Sequence, residues 1–413
     1  MSSKFSILFR GQRNTLRAEQ KAQLEACRGA VWIHAASVGE FEQARPLIEQ
    51  LKIHNSQFKI VVTFFSPSGY EARKNYELAD GIFYLPFATP LNAKRFIETL
   101  QPSMAIFVKY EFWPAYLKAL KKRGIPTYCI SAIFRPTQRF FHWYGASARR
   151  VLKCFTHIYV QDEASRRLLA EHGIHDCTVA GDTRFDRVVE IVESQKSKDL
   201  SAQSNLTPVA QFTEGAERVL IAGSTWPEDE ELLEAYLENT ECRIQNTDSG
   251  KRVKLILVPH ETDEQHLHFI FNLFQGRMVR YSTINAMPSN MSRLNILRNA
   301  QVMVIDTMGL LSSIYRFGQV AYIGGGFGVG IHNTIEAAVY GVPVVFGPNY
   351  HHFREAQGLI DAGAARSIKN YSELEAALNT ALDQHETIGA KAAEYVQSEL
   401  GATEKIYKSI FLV

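Results

Sequence analysis

Three side chains carry the chemistry that this sequence can be expected to do: Glu40, Glu111 and Arg184. Glu40 closes the segment Ser37-Val38-Gly39-Glu40, directly after the apolar run Val31-Trp32-Ile33-His34. A short apolar run followed by small residues and then an acid reads as a strand-to-helix turn. Two readings of the acid compete. A carboxylate in the first turn of a helix suits the macrodipole. Alternatively, Ala35, Ala36 and Gly39 leave room for a substrate and the carboxylate acts as a base. Glu111 stands in the apolar setting "YEFW", where an ionised group is costly without a partner. Arg184, in "AGDTRFD", is a candidate for that partner, and in a cleft the pair can orient a substrate or stabilise developing charge.

A second set of residues suits an anion or a nucleotide. The segment "YIGGGFGVGIHNTIEAAVYGVPVVFGP" (322–348) ends a strand in Gly324, Gly325 and Gly326, with Gly328 and Gly330 following and Asn333 opening a helix. Glycines let backbone amides approach an anion closely, and a helix N-terminus favours negative charge. Glu336 is placed to accept from ribose hydroxyls; the competing reading is an N-x-x-E capping box from Asn333. "VIDTMGLLSSIYRFG" (304–318) sets Asp306, Met308 and Gly309 at another strand end, and "LVPHETDEQHL" (257–267) does the same for Pro259 and His260. Ser224 and Thr225 start a further helix, as caps or as ligands. The spacing fits neither a Walker loop nor the GxGxxG fingerprint with its acid about 20 residues on. No DxD, HExxH or GxSxG segment occurs, so no metal site is expected.

These residues share one property: each follows a short β-rich run. Seven such runs precede residue 184 (31–37, 59–66, 81–87, 104–112, 125–131, 157–162 and 177–183) and five follow (218–225, 254–260, 302–307, 320–326 and 343–348). Runs apolar on both faces, alternating with helices, indicate parallel sheets covered on both sides. Ligands of such sheets bind beyond the carboxyl ends of the strands. The stretch 191–217, rich in Ser, Gln and Lys, reads as a linker. The expectation is an α/β protein of two Rossmann-like, doubly wound domains facing a cleft. Residues 1–200 form the first and 201–413 the second, with the last helix a candidate to pack back on the first.

Composition narrows the class. In 413 residues, 46% are hydrophobic and 21% charged, as in globular proteins, and a net charge of +2 argues against coating nucleic acid. The five scattered cysteines form no CxxC pair and suit reduced thiols. No run of about eighteen apolar residues exists to span a bilayer, and the first twenty residues lack the features of a signal peptide.

The ordered set "AASVGEFEQARPLI", "VTFFSPSGYE", "YLPFATP", "YEFWP", "AGDTRFD", "AGSTWPEDEELL", "DTMGLLSSIY" and "GGGFGVGIHNTIEAAVYGVPVVFGP", spanning about residues 30 to 365, resembles the 3-deoxy-D-manno-octulosonic acid (Kdo) transferases. The resemblance implies a GT-B fold, the acceptor in the N-terminal domain and CMP-Kdo in the C-terminal one. It implies inverting transfer of Kdo to a lipid A precursor in lipopolysaccharide synthesis, with CMP as product and no cofactor. It makes Glu40 the general base and Glu111 and Arg184 the transition-state stabilisers, Arg184 standing where most members have Lys. It carries CMP contacts onto Pro259, His260, Met308, Gly309, Leu310, Asn333, Thr334, Ile335 and Glu336. This chain departs from most members at "PHETDE", at Ala88 and at "AIFRP" after Ser131, and the family's N-terminal membrane helix is not found in it. Attachment is then expected to be peripheral, at the cytoplasmic face of the inner membrane. The expected contact is the stretch 134–155, through Arg135, Arg139, Arg149, Arg150 and Lys153 and the aromatics Phe134, Phe140, Phe141, Trp143, Tyr144 and Phe155. The rival readings are another GT-B enzyme, such as a UDP-sugar epimerase or transferase, and a non-catalytic GT-B protein that binds nucleotide sugar or lipid.

Overall fold

A computed structural model describes residues 8, 10–196, 204–247 and 252–412. The chain divides into two compact units, Met1–Arg187 with Glu399–Val413, and Val188–Ser398. The boundary expected at 200/201 lies outside the described residues.

Each unit is built on a seven-stranded, wholly parallel sheet. In the first, β1 (Val31–His34), β2 (Ile60–Phe64), β3 (Gly81–Tyr84), β4 (Met104–Val108), β5 (Thr127–Ala132), β6 (His157–Val160) and β7 (Cys177–Val179) run in the spatial order 3-2-1-4-5-6-7. β1 and β2 are buried throughout, which is why they are apolar on both faces. Helices cover the two faces over separate cores. One core centres on Trp32, Phe96, Phe107 and Tyr116, the other on Ile33, Phe41, Phe64 and Ile106. The terminal helix Ala402–Phe411 buries Ile406 and Tyr407 in the second of these cores. Asp186 holds its start, accepting from the Gly401 and Thr403 amides at 2.7 Å each.

The second unit contains β8 (Arg218–Thr225), β9 (Val253–Pro259), β10 (Met278–Arg280), β11 (Val302–Val304), β12 (Val320–Ile323), β13 (Val344–Phe346) and β14 (Ala365–Ser367), ordered 10-11-9-8-12-13-14. β10 and β14 were not legible in the sequence. They are three-residue edge strands, half-exposed or exposed at each position, so they lack the two-sided apolar run. The five cysteines are free; Cys27 and Cys129 are buried, whereas Cys242 is exposed.

The winding fixes where ligands can meet each sheet. The order in which successive strands are added reverses between β1 and β4 in the first sheet and between β8 and β12 in the second, all strands staying parallel. At such switch points the connections leave on opposite faces and open a crevice at the strand ends.

Candidate active site

In the first unit, Glu40 follows β1 and Glu111 follows β4, the two strands at the switch point. Ser37 is the N-cap of the helix Val38–His54, and its hydroxyl accepts from the Glu40 amide at 3.5 Å. The same hydroxyl donates to the Glu40 carboxylate. Ser37 thus caps the helix and Glu40 stands in its first turn, so the first of the two readings of Glu40, an acid that suits the macrodipole, is present in the structure. This role does not consume the carboxylate. Glu40 is only half-buried and one oxygen carries the Ser37 bond.

Glu111 is placed by a strained turn. Lys109, just past β4, has φ 58°, a region that costs a residue with a side chain about 1–3 kcal/mol. The turn ends where Pro114 starts the helix Pro114–Lys122. The Glu111 carboxylate is held by two groups, neither of them Arg184. Its Oε2 accepts from the Trp113 indole at 2.6 Å and lies 3.2 Å from Nε2 of the fully buried His34. Nδ1 of His34 in turn lies 2.9 Å from the Thr63 hydroxyl, which accepts from the Trp32 indole at 2.9 Å. Neither His34 nor Thr63 was picked out from sequence. The available signal was a histidine and a threonine inside otherwise apolar strands.

Arg184 is held by Asp182, which accepts from the Arg184 Nε at 2.9 Å and from its amide at 3.0 Å. Burial pushes the Asp182 carboxyl up. The Arg184 guanidinium, its hydrogen bonds and the charge of Lys109 outweigh that and hold it below the usual carboxylate range. The turn is also tied to the helix that carries Glu40. Gln43 donates to Asp182 at 2.8 Å, and the Thr183 hydroxyl donates to the Gln43 carbonyl at 2.6 Å. One rigid assembly thus supports Glu40 and Arg184, while a separate relay supports Glu111.

The second unit sets its expected residues at strand ends: Pro259 and His260 at the end of β9, Met308 to Leu310 after β11, and Asn333 to Glu336 after β12. Pro259 ends β9 and His260 follows, stacked on Trp226 at 4.9 Å between centroids, with the His332 ring 4.5 Å from it and tilted by 34°. Burial, with His260 beside it, lowers the His332 pKa. Asn333 donates to Glu336 at 2.9 Å and accepts from the Ile335 amide at 3.1 Å, so the N-x-x-E contact forms. The helix itself is a single turn, Ile335–Ala338, with Thr334 at its N-cap. A macrodipole sums aligned peptides, so the expected helix field at Asn333 shrinks to that of one turn. Met308 is 85% exposed and Gly309 has φ 86°, with open space where a Cβ would stand; Leu310 is buried. These three positions therefore differ: two face solvent and one packs inward.

The glycines divide as well. A Cβ on Gly324 would meet the Ser224 carbonyl at 2.4 Å, and one on Gly326 would meet the Gly347 backbone at 2.6 Å. Those two are required by backbone packing. Gly328 has open space around it and answers to no such need. The loop is braced by Asp229, which accepts from the Gly325 amide at 2.9 Å and the Tyr322 hydroxyl at 2.6 Å. Thr225 donates to the buried Glu230 at 2.7 Å, which makes its role one of support. Four buried side-chain atoms around these strand ends have no hydrogen-bond partner: Trp226 Nε1, Thr307 Oγ1, His332 Nε2 and Thr334 Oγ1. Orphaned polar atoms are rare in protein interiors, and a bound ligand is one of the things that satisfies them. Trp226 and His332 were quoted within motifs but not singled out, since an aromatic ring in a strand-end loop reads first as packing.

The stretch 134–155 sorts its aromatics differently from the expectation. Phe134, Phe140 and Phe155 are buried and Phe141 packs against them, because they close the core around Phe112. Trp143, at 92% exposure, and Tyr144, at 57%, remain outside. Arg149 donates to the Phe140 carbonyl at 2.7 Å and the His142 carbonyl at 3.2 Å, so it shapes the loop. Arg139, Arg150 and Lys153 stay exposed and Arg135 is half-buried.

Comparison with known proteins bears on the whole arrangement. Residues 10–187 match the family described as 3-Deoxy-D-manno-octulosonic-acid transferase (kdotransferase). The 3-deoxy-D-manno-octulosonic acid transferase of Aquifex aeolicus is 27% identical over 359 residues, covering 86% of each chain. That of Haemophilus influenzae is 27% identical over 399 residues, covering 91% of this chain and 85% of the other. Among solved structures, UDP-GlcNAc 2-epimerase from Neisseria meningitidis bound to UDP-GlcNAc superposes with a TM-score of 0.64 over 93% of this chain and 100% of the other. At 15% identity this shows the fold alone, which is GT-B. The chain is thus similar to the 3-deoxy-D-manno-octulosonic acid transferases over most of its own length and most of theirs, and its residues 10–187 match the model of that family.

Proposed function

We propose that the protein transfers Kdo from CMP-Kdo to a lipid A precursor, with inversion, in lipopolysaccharide core synthesis. The observation that carries this reading is the placing of two carboxylates, Glu40 and Glu111, after the two strands that flank the switch point of the first sheet. A positioned base contributes about 10²–10⁴-fold. In the proposed step the acceptor hydroxyl oxygen attacks the anomeric carbon of Kdo and Glu40 takes the hydroxyl proton. The bond from that carbon to the phosphate oxygen breaks, and CMP leaves with the electron pair. Positive charge develops at the sugar and negative charge on the phosphate. Glu111 is suited to the first, and Arg184 to orienting the anionic sugar or the phosphate.

The second unit is the proposed CMP site. The rings of Trp226, His260 and His332 supply a face for the base. Glu336 and Asn333 supply acceptors and a donor for the ribose, and the amides around Gly325 to Gly330 supply donors for the phosphate. The unsatisfied atoms of Trp226, Thr307, His332 and Thr334 support a polar ligand here. No protein metal site enters the scheme, since the sequence has no DxD motif.

Membrane contact is proposed to be peripheral, at the cytoplasmic face of the inner membrane. None of the described helices is long and apolar enough to cross a bilayer. The surface now proposed is the tip formed by Trp143 and Tyr144, with Arg139, Arg150 and Lys153 as its exposed cations.

The test is incubation with CMP-Kdo and a tetraacylated lipid A precursor, followed by mass spectrometry of the lipid, with and without a chelator. CMP is expected to compete and UDP is not. Inhibition by UDP with no mass added to the lipid would favour a UDP-sugar enzyme. CMP binding without transfer would favour a binding protein.

A further inference from the structure

The hydrogen bonds around Glu111 admit a complete account of their protons, and it assigns a role to a residue outside the expected site. His34 is fully buried on β1. Four groups surround it: the Thr63 hydroxyl at 2.9 Å and the Thr63 carbonyl at 3.0 Å from Nδ1, and Glu111 Oε2 at 3.2 Å and the Trp113 indole at 3.0 Å from Nε2.

Three protonation states are open to an imidazole. With the proton on Nδ1 alone, Nε2 could accept a share of the Trp113 indole proton at 3.0 Å, but that proton lies closer to Glu111, at 2.6 Å, the Nε2 lone pair would face the carboxylate oxygen at 3.2 Å, and the Thr63 hydroxyl would lose Nδ1 as its acceptor. With both nitrogens protonated, the Thr63 hydroxyl could not donate to Nδ1. Its oxygen already accepts from the Trp32 indole at 2.9 Å, and among the described residues Nδ1 is the acceptor for its proton, so that proton would be buried unpaired. With the proton on Nε2 alone, every group is satisfied. Trp32 donates to the Thr63 hydroxyl, the hydroxyl donates to Nδ1, and Nε2–H donates to Glu111. Trp113 donates to the same carboxylate oxygen at 2.6 Å. Meanwhile the Thr63 carbonyl takes the Ala35 amide at 3.1 Å in the sheet.

We infer that His34 is a positioning residue, held as the Nε2–H tautomer by Thr63, and that it fixes the orientation of the Glu111 carboxylate. Both donors converge on Oε2, so Oε1 is the atom presented to the substrate. The assignment follows from the hydrogen-bond network. It rests on the reading of Glu111 as a transfer residue but can be tested apart from it. In the same way, partners behind a functional side chain fix its orientation and basicity.

The first measurement needs no turnover. In the full chain labelled with ¹⁵N-histidine, His34 is identified by the resonances missing from His34→Gln. It is expected to show an unprotonated Nδ1 and a protonated Nε2 at neutral pH. A protonated Nδ1, with Nε2 either bare or protonated, overturns the inference whatever the enzyme does. The second measurement concerns role. Thr63→Val removes the hydroxyl and keeps the shape of the side chain. It is expected to move the proton to Nδ1 and to lower kcat about tenfold or more, as outer partners of functional groups do, with KM little changed. His34→Gln retains a donor toward Glu111 and is expected to recover most of the rate that His34→Phe loses, at equal melting temperature. Equal rates for the Gln and Phe variants, or an unchanged kcat in Thr63→Val, would make the relay a packing feature only. Absence of transfer by the parent chain would instead sink the transferase reading and leave the tautomer result standing.

Discussion

Replacing Glu40 by Gln separates the two readings of that residue, since the structure supports both. Gln keeps the size and still offers an oxygen to the Ser37 hydroxyl, so the cap survives. What is lost in stability is one negative charge at a half-exposed helix start, about 0.3–1 kcal/mol. For a unit of this size, 1 kcal/mol shifts the melting temperature by roughly 2–4 °C, so the expected fall is under about 4 °C. A lost base costs about two to four decades in rate, which at 1.36 kcal/mol per decade is about 3–5 kcal/mol in the barrier. Ser37→Ala makes the complementary change. It removes the N-cap oxygen, costing about 0.5–2 kcal/mol, and leaves the carboxylate chemically able to take a proton. The expected pattern is crossed: Glu40→Gln barely moves the melt and abolishes transfer, whereas Ser37→Ala lowers the melt more and the rate less. The assay is Kdo addition to a tetraacylated lipid A precursor, quantified by mass spectrometry, beside thermal melts and CMP calorimetry. CMP affinity should be unchanged in both. Activity of Glu40→Gln within a few-fold of the parent would refute the base role, as would a loss of rate that tracks the loss of stability across both variants.

Asn333→Ala and Glu336→Ala are expected to weaken CMP binding, by roughly 10- to 150-fold for a lost hydrogen bond to a charged acceptor at Glu336; unchanged calorimetric affinity with a lowered melt would leave only the cap. Asp182 has its folded pKa depressed, so its stabilisation is present above the unfolded value of about 3.9 and is lost as pH falls through the folded value. Asp182→Asn should therefore flatten the acid limb of a plot of melting temperature against pH, and an unaltered limb would show that other carboxylates control it. At neutral pH the same variant is expected to cost about 3 kcal/mol, the low end for breaking a buried pair, because Arg184 keeps 19% exposure. For the membrane, Trp143→Ala with Arg139→Glu and Arg150→Glu should release the chain from anionic vesicles at low salt, at about 1 kcal/mol per basic residue. Arg149 is left intact because it holds the loop, and undiminished sedimentation would move the contact elsewhere.

The alternation of two-sided apolar runs with helical stretches determined by itself that there would be two parallel sheets. Burial on both faces leaves no polar stripe, and nothing else in a globular chain reads that way. Twelve of the strands were visible from their β-rich runs, the short edge strand β7 among them; β10 and β14, three-residue edge strands with no buried position, were not. The same logic puts Glu40, Glu111, Pro259, His260 and Asn333 at strand ends, since strand ends are set locally.

Partnership was decided only by the tertiary structure. Glu111 and Arg184 looked complementary as charges 73 positions apart, yet the sheet places His34 and Trp113 on the first and Asp182 on the second. Strand order, which brings β1 beside β4, is a product of long-range pairing that local periodicity does not encode. Phe140 and Trp143 have the same apolar character in the sequence. One is buried against Phe112 and the other stands in solvent, because burial depends on which neighbours the fold supplies to fill the space around a ring.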